Sequence, residues 1–167
     1  RLICLMELLY ATGMRVSELV TLPVAAARGN PRMILVKGKG GKERMVPLSP
    51  PARDALKAWL VIRGQDKIAE ASAFLFPSTG KDGHLTRVRF HQIIKDLAVR
   101  AGISPAKVSP HTMRHAFATH LLAHGADLRS IQQLLGHSDV STTEIYTHVQ
   151  EERLRQLVTE KHPLAKL

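Results

Sequence analysis

Helix start and stop signals divide most of this chain into short segments of helical length. Residues that begin helices precede four of these segments, and glycines that can end a helix follow five of them. The start signals are Pro50-Pro51, Thr86, Ser109-Pro110 and Asp127, and the stop signals are Gly13, Gly64, Gly102, Gly125 and Gly136. A chain punctuated in this way is expected to fold chiefly as packed helices.

Apolar patterning and turn signals together predict a mostly helical chain with one small sheet. Apolar patterning predicts helices over Leu2–Tyr10, Ser17–Leu22, residues 52–64, 86–100, 109–125 and 128–136, a helix from Ser141, and a last one over residues 151–161. Met33–Val36 and Arg44–Leu48 are β-prone runs, and the sequence KGKGGK between them forms a glycine-rich turn with a cationic tip. The predicted fold class is therefore α+β, mostly α with a small antiparallel β-sheet.

The composition predicts a single domain that meets a polyanion. Of the 167 residues, 44% are apolar, which is enough for a folded core. Lys and Arg number 24 against 14 acidic residues, so the formal net charge is +10 and nucleic acid is the first candidate partner. A membrane surface is less favoured, because the basic residues lie in several segments rather than on one amphipathic helix. No apolar run approaches the roughly 20 residues of a membrane span, so we expect a cytoplasmic protein.

Neither the cysteine nor the histidines predict a metal site. Cys4, the single cysteine, lies in an apolar segment and is expected to be a buried thiol without chemistry. His111/His115 and His120/His124 are pairs at i, i+4 spacing, but no cysteine or well-placed acid completes a zinc site. We expect no metal, no cofactor and no small-molecule ligand, and we interpret His115, His120 and His124 as structural or surface residues.

Tyr146 follows three basic side chains, His111, Arg114 and His137, in a chain with 2 tyrosines. On a helix, His111 and Arg114 share a face in the first turn, where free amides and the helix dipole favour a phosphate. A phenol near such cations suggests a nucleophile. Two alternatives stay open on these residues alone. A tyrosine on an amphipathic helix usually packs its ring, and Arg114 could be a surface or salt-bridged arginine.

Phosphoryl transfer would give further basic residues a role. Negative charge develops on the non-bridging oxygens, and a planar guanidinium binds two such oxygens at once. The leaving oxygen needs a proton, which Lys39 on the hairpin tip could supply. The acidic residues are scattered, so arginine-based charge stabilisation fits the composition better than catalysis by carboxylate-held metals.

Four motifs, in order and with matching spacing, resemble the catalytic domain of tyrosine recombinases of the phage integrase family, in particular the bacterial Xer recombinases. They are ATGMRVSEL (11–19), VKGKGGKERMVPL (36–48), SPHTMRHAFATHLL (109–122) and LLGHSDVSTTEIYTHV (134–149). The resemblance runs from Arg1 almost to the C-terminus and implies the tyrosine recombinase catalytic-domain fold. It also implies that residues 1–167 are a C-terminal catalytic domain, and that the N-terminal core-binding domain is absent from this chain.

The resemblance implies a role for each matching position. The catalytic residues that it implies are Arg15, Lys39, His111, Arg114, His137 and the nucleophile Tyr146, with Glu18 as the acidic residue that accompanies Arg15. The basic residues expected to contact DNA phosphates are Lys37, Lys42, Arg44 and Arg87.

The implied activity is site-specific DNA recombination through a 3′-phosphotyrosyl intermediate. The released 5′-hydroxyl attacks the partner duplex, and neither ATP nor metal is needed. The expected partners are a double-stranded DNA recombination site, a second Xer-type recombinase in a heterotetramer and a DNA translocase as activator, in chromosome dimer resolution and segregation. The last helix, residues 151–161, is expected to dock in a neighbouring protomer.

Two other functions compete with this interpretation. Residues 130–149 have the outline of a helix-turn-helix, which would make the chain a DNA-binding module without chemistry. A type IB topoisomerase-like enzyme would share the tyrosine chemistry and relax supercoils without exchanging partners. The four motifs together favour the recombinase.

Overall fold

The computed structural model of the protein describes residues 1–136 and 148–161. Over these residues the chain is mostly helical with one two-stranded antiparallel sheet, which confirms the predicted fold class. The helices are α1 (Leu2–Thr12), α2 (Val16–Val20), α3 (Pro50–Gly64), α4 (Lys67–Ala71), α5 (Arg87–Arg100), α6 (Pro110–Ala123), α7 (Leu128–Leu135) and α8 (His148–Lys161). The strands are β1 (Met33–Lys37) and β2 (Glu43–Pro47), and short 3-10 helices cover Val24–Ala27, Lys39–Gly41 and Pro105–Lys107. None of the described helices has both the length and the apolar content needed to cross a membrane.

Helices begin and end at the residues that the sequence predicts for three starts and two stops. Thr86, Ser109 and Asp127 each accept a hydrogen bond from the amide three residues later, at 3.1, 3.2 and 2.9 Å. Gly13 and Gly136 end α1 and α7 in the left-handed conformation, with φ of 61° and 70°. Both glycines therefore turn the chain sharply, and both turns lie beside predicted site residues.

The hairpin has one buried face, and its register determines which side chains lie there. Ile34 of β1 is opposite Val46 of β2, and Val36 is opposite Arg44. Side chains alternate between the two faces of a strand, and directly opposed residues share a face. All four of these residues are buried. Arg44 is consequently a charged side chain on the core side of the sheet.

α1 lies at the centre of the main hydrophobic core. Its Leu5, Leu8 and Leu9 are fully buried, and the helix packs against α3 and α6. A second cluster joins α6, α7 and α8 and contains Phe117, Leu121, Ala126, Ile131, Leu134, Leu135 and Val158. Gly13 lies against this second cluster, since a Cβ placed on it would be 2.3 Å from Phe117 Cδ1. The end of α1 thus brings the two cores together.

α8 packs on its own chain. It contacts β2 and α6, and its Val158 is 1% exposed within the second cluster, with Leu157 packed beside it. Burial of Val158 and Leu157 keeps these two apolar side chains from water. The docking of this helix in a neighbouring protomer, which the resemblance implied, stays a prediction.

α3 is held to the segment that follows α4 by hydrogen bonds from two of its side chains. Trp59 donates through Nε1 to the Leu75 carbonyl at 2.9 Å. Arg63, which is 4% exposed, donates through Nη2 to the carbonyls of Ser72 and Phe74 at 2.6 and 2.9 Å. Arg63 is therefore a buried arginine with a structural role, and it lies outside the predicted site.

Gly13→Ala is expected to destabilise the protein beyond the cost of a left-handed alanine. That conformation costs roughly 1–2 kcal/mol, and overpacking against the buried Phe117 ring adds about 1–3 kcal/mol. Gly29→Ala is the matched control, because Gly29 has a φ of +75° and a Cβ placed on it would meet no atom of the described residues within 4 Å. Urea denaturation measures both free energies of unfolding. Equal losses in the two variants would contradict the close approach of α1 to Phe117.

Candidate active site

Arg15 begins α2 where the chain leaves α1. Its backbone amide donates to Glu18 Oε2 at 2.7 Å, and its guanidinium Nη1 donates to Glu18 Oε1 at 3.2 Å. The Arg15 side chain is 38% exposed, whereas that of Glu18 is 3% exposed. A buried carboxylate therefore anchors a guanidinium that still reaches solvent, where a ligand can contact it.

Arg44 makes the second and closer ion pair with Glu18. Its Nη1 and Nη2 donate to the two carboxylate oxygens of Glu18, each at 2.8 Å, and its Nε donates to the Leu134 carbonyl at 2.8 Å. The residue is 5% exposed. All three guanidinium nitrogens of Arg44 therefore have partners inside the protein, and its contact with a DNA phosphate stays a prediction. The alternation of β2 indicates this burial, since Arg44 and Val46 fall on the same face.

Arg114 reaches from α6 to the ends of two other helices. Its Nη1 donates to the Gly13 carbonyl at the end of α1, and its Nη2 donates to the Leu135 carbonyl at the end of α7, both at 2.6 Å. The capping box of Ser109 and Thr112 fixes the first turn of α6, from which Arg114 projects. The side chain is half-buried. It is thus held where α1, α6 and α7 meet.

These side chains form a cationic cluster with one carboxylate, which we call the arginine cluster: Arg15, Arg44, Arg114 and Glu18. Burial, and then the charges of Arg15 and Arg44, lower the pKa of Arg114 to about 10, although Glu18 acts in the opposite direction. Three positive guanidiniums and one negative carboxylate leave a net charge of +2 at neutral pH. Excess positive charge in a partly buried site favours an anion.

The pKa of Glu18 reflects the same balance between burial and the neighbouring positive charges. Burial alone would raise it, but hydrogen bonds from Arg44 and from the Arg15 amide, with the charges of both guanidiniums, lower it below its ordinary 4.5. The carboxylate is consequently ionised at neutral pH, and it neutralises one of the three arginine charges.

The other predicted cations lie at the surface. Lys39 is at the hairpin tip, in the 3-10 turn between the exposed Lys37 and Lys42. His111 is exposed in the first turn of α6, three residues before Arg114, and Arg87 is exposed at the first residue of α5. Their roles towards DNA stay predictions. His137 and Tyr146 lie outside the described residues, and His137 directly follows Gly136, which ends α7.

The remaining histidines and the cysteine have structural surroundings. Tyr10 and His120 share a hydrogen bond of 2.6 Å between Oη and Nδ1, which links α1 to α6 and was missed from the sequence. His124 Nδ1 lies 2.7 Å from the His120 carbonyl, and His115 is exposed. Cys4 is buried, as predicted, and burial raises the pKa of its thiol to about 12. Within residues 1–136 and 148–161, no three His, Cys, Asp or Glu side chains form a group that could hold a metal.

Comparison with known proteins gives the geometry a family context. The model of the phage integrase family matches residues 1–153. The tyrosine recombinase XerD of Brucella suis biovar 1 (strain 1330) is 59% identical over 165 residues, which covers 99% of this chain and 53% of the Brucella protein. The chain therefore spans about half the length of the curated relatives that it matches.

Solved structures agree with the sequence relatives. The crystal structure of XerA recombinase superposes with a TM-score of 0.75 at 35% identity, and the match covers 98% of this chain and 58% of that one. The XerH site-specific recombinase, in a pre-cleavage complex with its difH substrate, has a TM-score of 0.68 at 31% identity, over 93% of this chain and 45% of XerH. Both neighbours carry the fold described above.

Glu18→Gln is expected to destabilise the protein strongly and to make its free energy of unfolding less dependent on pH in the acid range. Removing one partner of a buried ion pair costs about 3–5 kcal/mol. Because the folded pKa of Glu18 lies below its ordinary 4.5, the carboxylate stabilises the fold fully above that pH. This contribution is lost as pH falls through the folded pKa. Urea denaturation between neutral pH and pH 3 measures the difference.

Glu43→Gln is the matched control, because Glu43 is exposed next to Arg44 on β2. Its stability should stay within about 0.5 kcal/mol of the wild type. If Glu18→Gln kept the wild-type acid dependence, the ionised carboxylate would not be what stabilises the cluster.

Proposed function

The chain belongs to the phage integrase family, and from this premise we propose that it is the catalytic part of a site-specific DNA recombinase. The observation that carries the proposal is the arginine cluster, which has a net positive charge and an accessible guanidinium in Arg15. The cluster lies at the point where α1, α6 and α7 meet. Such a site suits a phosphodiester whose negative charge increases during the reaction.

In the proposed reaction the hydroxyl of Tyr146 attacks the scissile phosphorus. A bond forms between phosphorus and the tyrosine oxygen as the bond to the 5′ oxygen breaks, which leaves a 3′-phosphotyrosyl link and a 5′-hydroxyl. Attack by the 5′-hydroxyl of the partner strand then reverses the step. One phosphodiester is exchanged for another, so the energy of the bond is kept and neither ATP nor a metal is required.

The predicted site residues fit distinct parts of this reaction. Arg15 and Arg114 bind the non-bridging oxygens, where charge accumulates in the transition state. Lys39, on the hairpin tip, protonates the leaving 5′ oxygen. His111 and His137 add hydrogen bonds to the phosphate. Each of these roles is part of the proposal.

The proposed substrate is a double-stranded DNA recombination site. The exposed side chains of Lys37, Lys42 and Arg87 would contact its phosphates. We further propose that the chain acts in the cytoplasm in a heterotetramer with a second Xer-type recombinase, in chromosome dimer resolution and segregation, with a DNA translocase as activator. The XerH neighbour, which is held with its difH substrate, supports DNA as the partner class.

A nicked suicide duplex tests the chemistry. The full-length protein first selects its site from a pool of random duplexes, and the selected site is then nicked near the cleavage point so that rejoining is prevented. We expect a covalent protein–DNA adduct that survives denaturant and contains phosphotyrosine at residue 146. Tyr146→Phe should abolish the adduct while it leaves DNA binding unchanged.

The same assay separates the competing functions. No adduct from the full-length protein would leave a DNA-binding module without chemistry as the better interpretation. An adduct followed by relaxation of supercoils, without strand exchange between two duplexes, would favour a type IB topoisomerase-like enzyme. Exchange of strands between labelled duplexes is the result expected of a recombinase.

Lys42→Ala is expected to weaken DNA binding and to reduce its dependence on salt. Each phosphate contact contributes a slope of about −0.9 to log K against log [salt], so loss of one contact should reduce the slope by about that amount. Lys57→Ala is the control, because Lys57 is exposed on α3, away from the arginine cluster. Fluorescence anisotropy over a salt series measures both slopes. An unchanged slope for Lys42→Ala would exclude a phosphate contact at Lys42.

A further inference from the structure

We propose that Arg44 is a positioning residue for the reaction proposed above, acting through Glu18 and the end of α7 on Arg15, on Arg114 and on the backbone that precedes Lys39 and His137. This inference rests on the proposed function, and it gives Arg44 a role that differs from the DNA contact expected from its charge.

Arg44 is turned away from solvent in this structure. It lies opposite Val36 on the buried face of the hairpin and is 5% exposed. Its three guanidinium nitrogens all donate hydrogen bonds within the protein. Any effect of Arg44 on the reaction must therefore pass through the groups that it contacts.

The contacts of Arg44 join three elements. From β2, it donates twice to Glu18 in α2 and once to the Leu134 carbonyl in α7. Glu18 in turn accepts from the backbone and the side chain of Arg15. Leu134 precedes Leu135, whose carbonyl accepts from Arg114. Arg15 and Arg114, the two arginines proposed to bind phosphate, are thus each linked to Arg44 through a short chain of contacts.

The backbone beside the two remaining predicted catalytic residues packs on the same ion pair. A Cβ on Gly136 would lie 3.0 Å from Arg44 Nη1, and a Cβ on Gly38 would lie 3.1 Å from Glu18 Oε1. Gly136 directly precedes His137, and Gly38 directly precedes Lys39. The ion pair is therefore in close contact with the backbone immediately before each of these two residues.

The chemistry of the pair requires an arginine and not merely a cation. The fork of a guanidinium matches both oxygens of a carboxylate and still presents Nε to a third acceptor, whereas lysine offers one point charge. A buried ion pair is often no more stabilising than apolar residues of similar volume. Stability alone therefore does not explain a charged pair at this place, and alignment of the site does.

Loss of the Arg44–Glu18 ion pair would also change the electrostatic surroundings of Arg15. Without Arg44, the Glu18 carboxylate would be left with the Arg15 guanidinium as its described charged partner. The carboxylate would then draw Arg15 inward and compete with a phosphate for it. Arg44→Lys keeps the positive charge but removes the bidentate geometry and the bond to Leu134, so it tests alignment separately from charge.

The experiment measures the single-turnover rate of adduct formation by full-length protein on the nicked duplex at saturating protein, together with the Kd for that duplex. For Arg44→Lys we expect a rate about 10- to 100-fold lower, because small misplacements of reacting groups have effects of that size. The Kd should change less than about 3-fold, roughly the factor expected when exposed phosphate contacts are retained. The effect should therefore appear in the rate constant and not in DNA affinity.

Arg63→Lys is the matched control. Arg63 is as buried as Arg44 and also donates to backbone carbonyls, but it serves α3 and lies outside the arginine cluster. We expect it to lose thermal stability without losing cleavage rate when assayed well below its Tm. An equal loss of cleavage in Arg63→Lys and Arg44→Lys would mean that the rate reports stability, and the proposal would be overturned.

Gly136→Ala disturbs the Arg44 guanidinium without replacing Arg44. It takes the place of Arg44→Lys in the test if that variant does not fold. Its Cβ would press on the Arg44 guanidinium. A Cβ on Gly125, also at positive φ, meets among the described residues only Lys161 Nζ, at 3.9 Å. Gly136→Ala should slow cleavage and Gly125→Ala should not. A wild-type cleavage rate in Arg44→Lys would overturn the positioning role but leave the proposed function intact. If Arg44→Lys does not fold, a wild-type cleavage rate in Gly136→Ala would have the same meaning. Absence of an adduct from the wild type would overturn the proposed function and this role together.

Discussion

One buried carboxylate determines how the cationic side chains of this protein are arranged. Glu18, on the short helix α2, accepts from Arg44 across the core and from Arg15 at its own helix start. A carboxylate this buried is stable only where its charge and both its oxygens are satisfied. Since Arg44 comes from the hairpin and also bonds to α7, the pair forms only when α2, β2 and α7 have docked. The ion pair therefore links the docking of these three elements to the placement of Arg15.

The ends of two helices supply the second constraint. α1 and α7 both end at a left-handed glycine, and the carbonyls of Gly13, Leu134 and Leu135 accept hydrogen bonds from Arg114 or Arg44. Carbonyl groups at a helix C-terminus carry partial negative charge and favour cations. The arginines are thus held in place by the protein itself before any phosphate arrives. Such preorganisation reduces the rearrangement that would otherwise accompany the reaction.

Local sequence signals predicted the elements of this fold better than the contacts between them. Thr86, Ser109 and Asp127 start helices through bonds to the third residue onward, so their effect is visible in a short window. α4 has five residues, too few for apolar periodicity to reveal it. The role of Arg44 depends on partners 26 and 90 residues away, which no local pattern contains. Only the alternation of β2 indicated that this arginine faces inward.

The basic composition of the chain therefore combines two different functions of positive charge. Exposed cations such as Lys37, Lys42 and Arg87 can attract a polyanion through solvent, where salt screens their charges beyond roughly 10 Å. The charge of Arg44 is matched by Glu18 at 2.8 Å and adds little to the field outside. Counting arginines and lysines thus indicates a polyanionic partner, but it overestimates how many side chains meet that partner. Burial, more than charge, separates the residues that can attract DNA from those that hold the site in register.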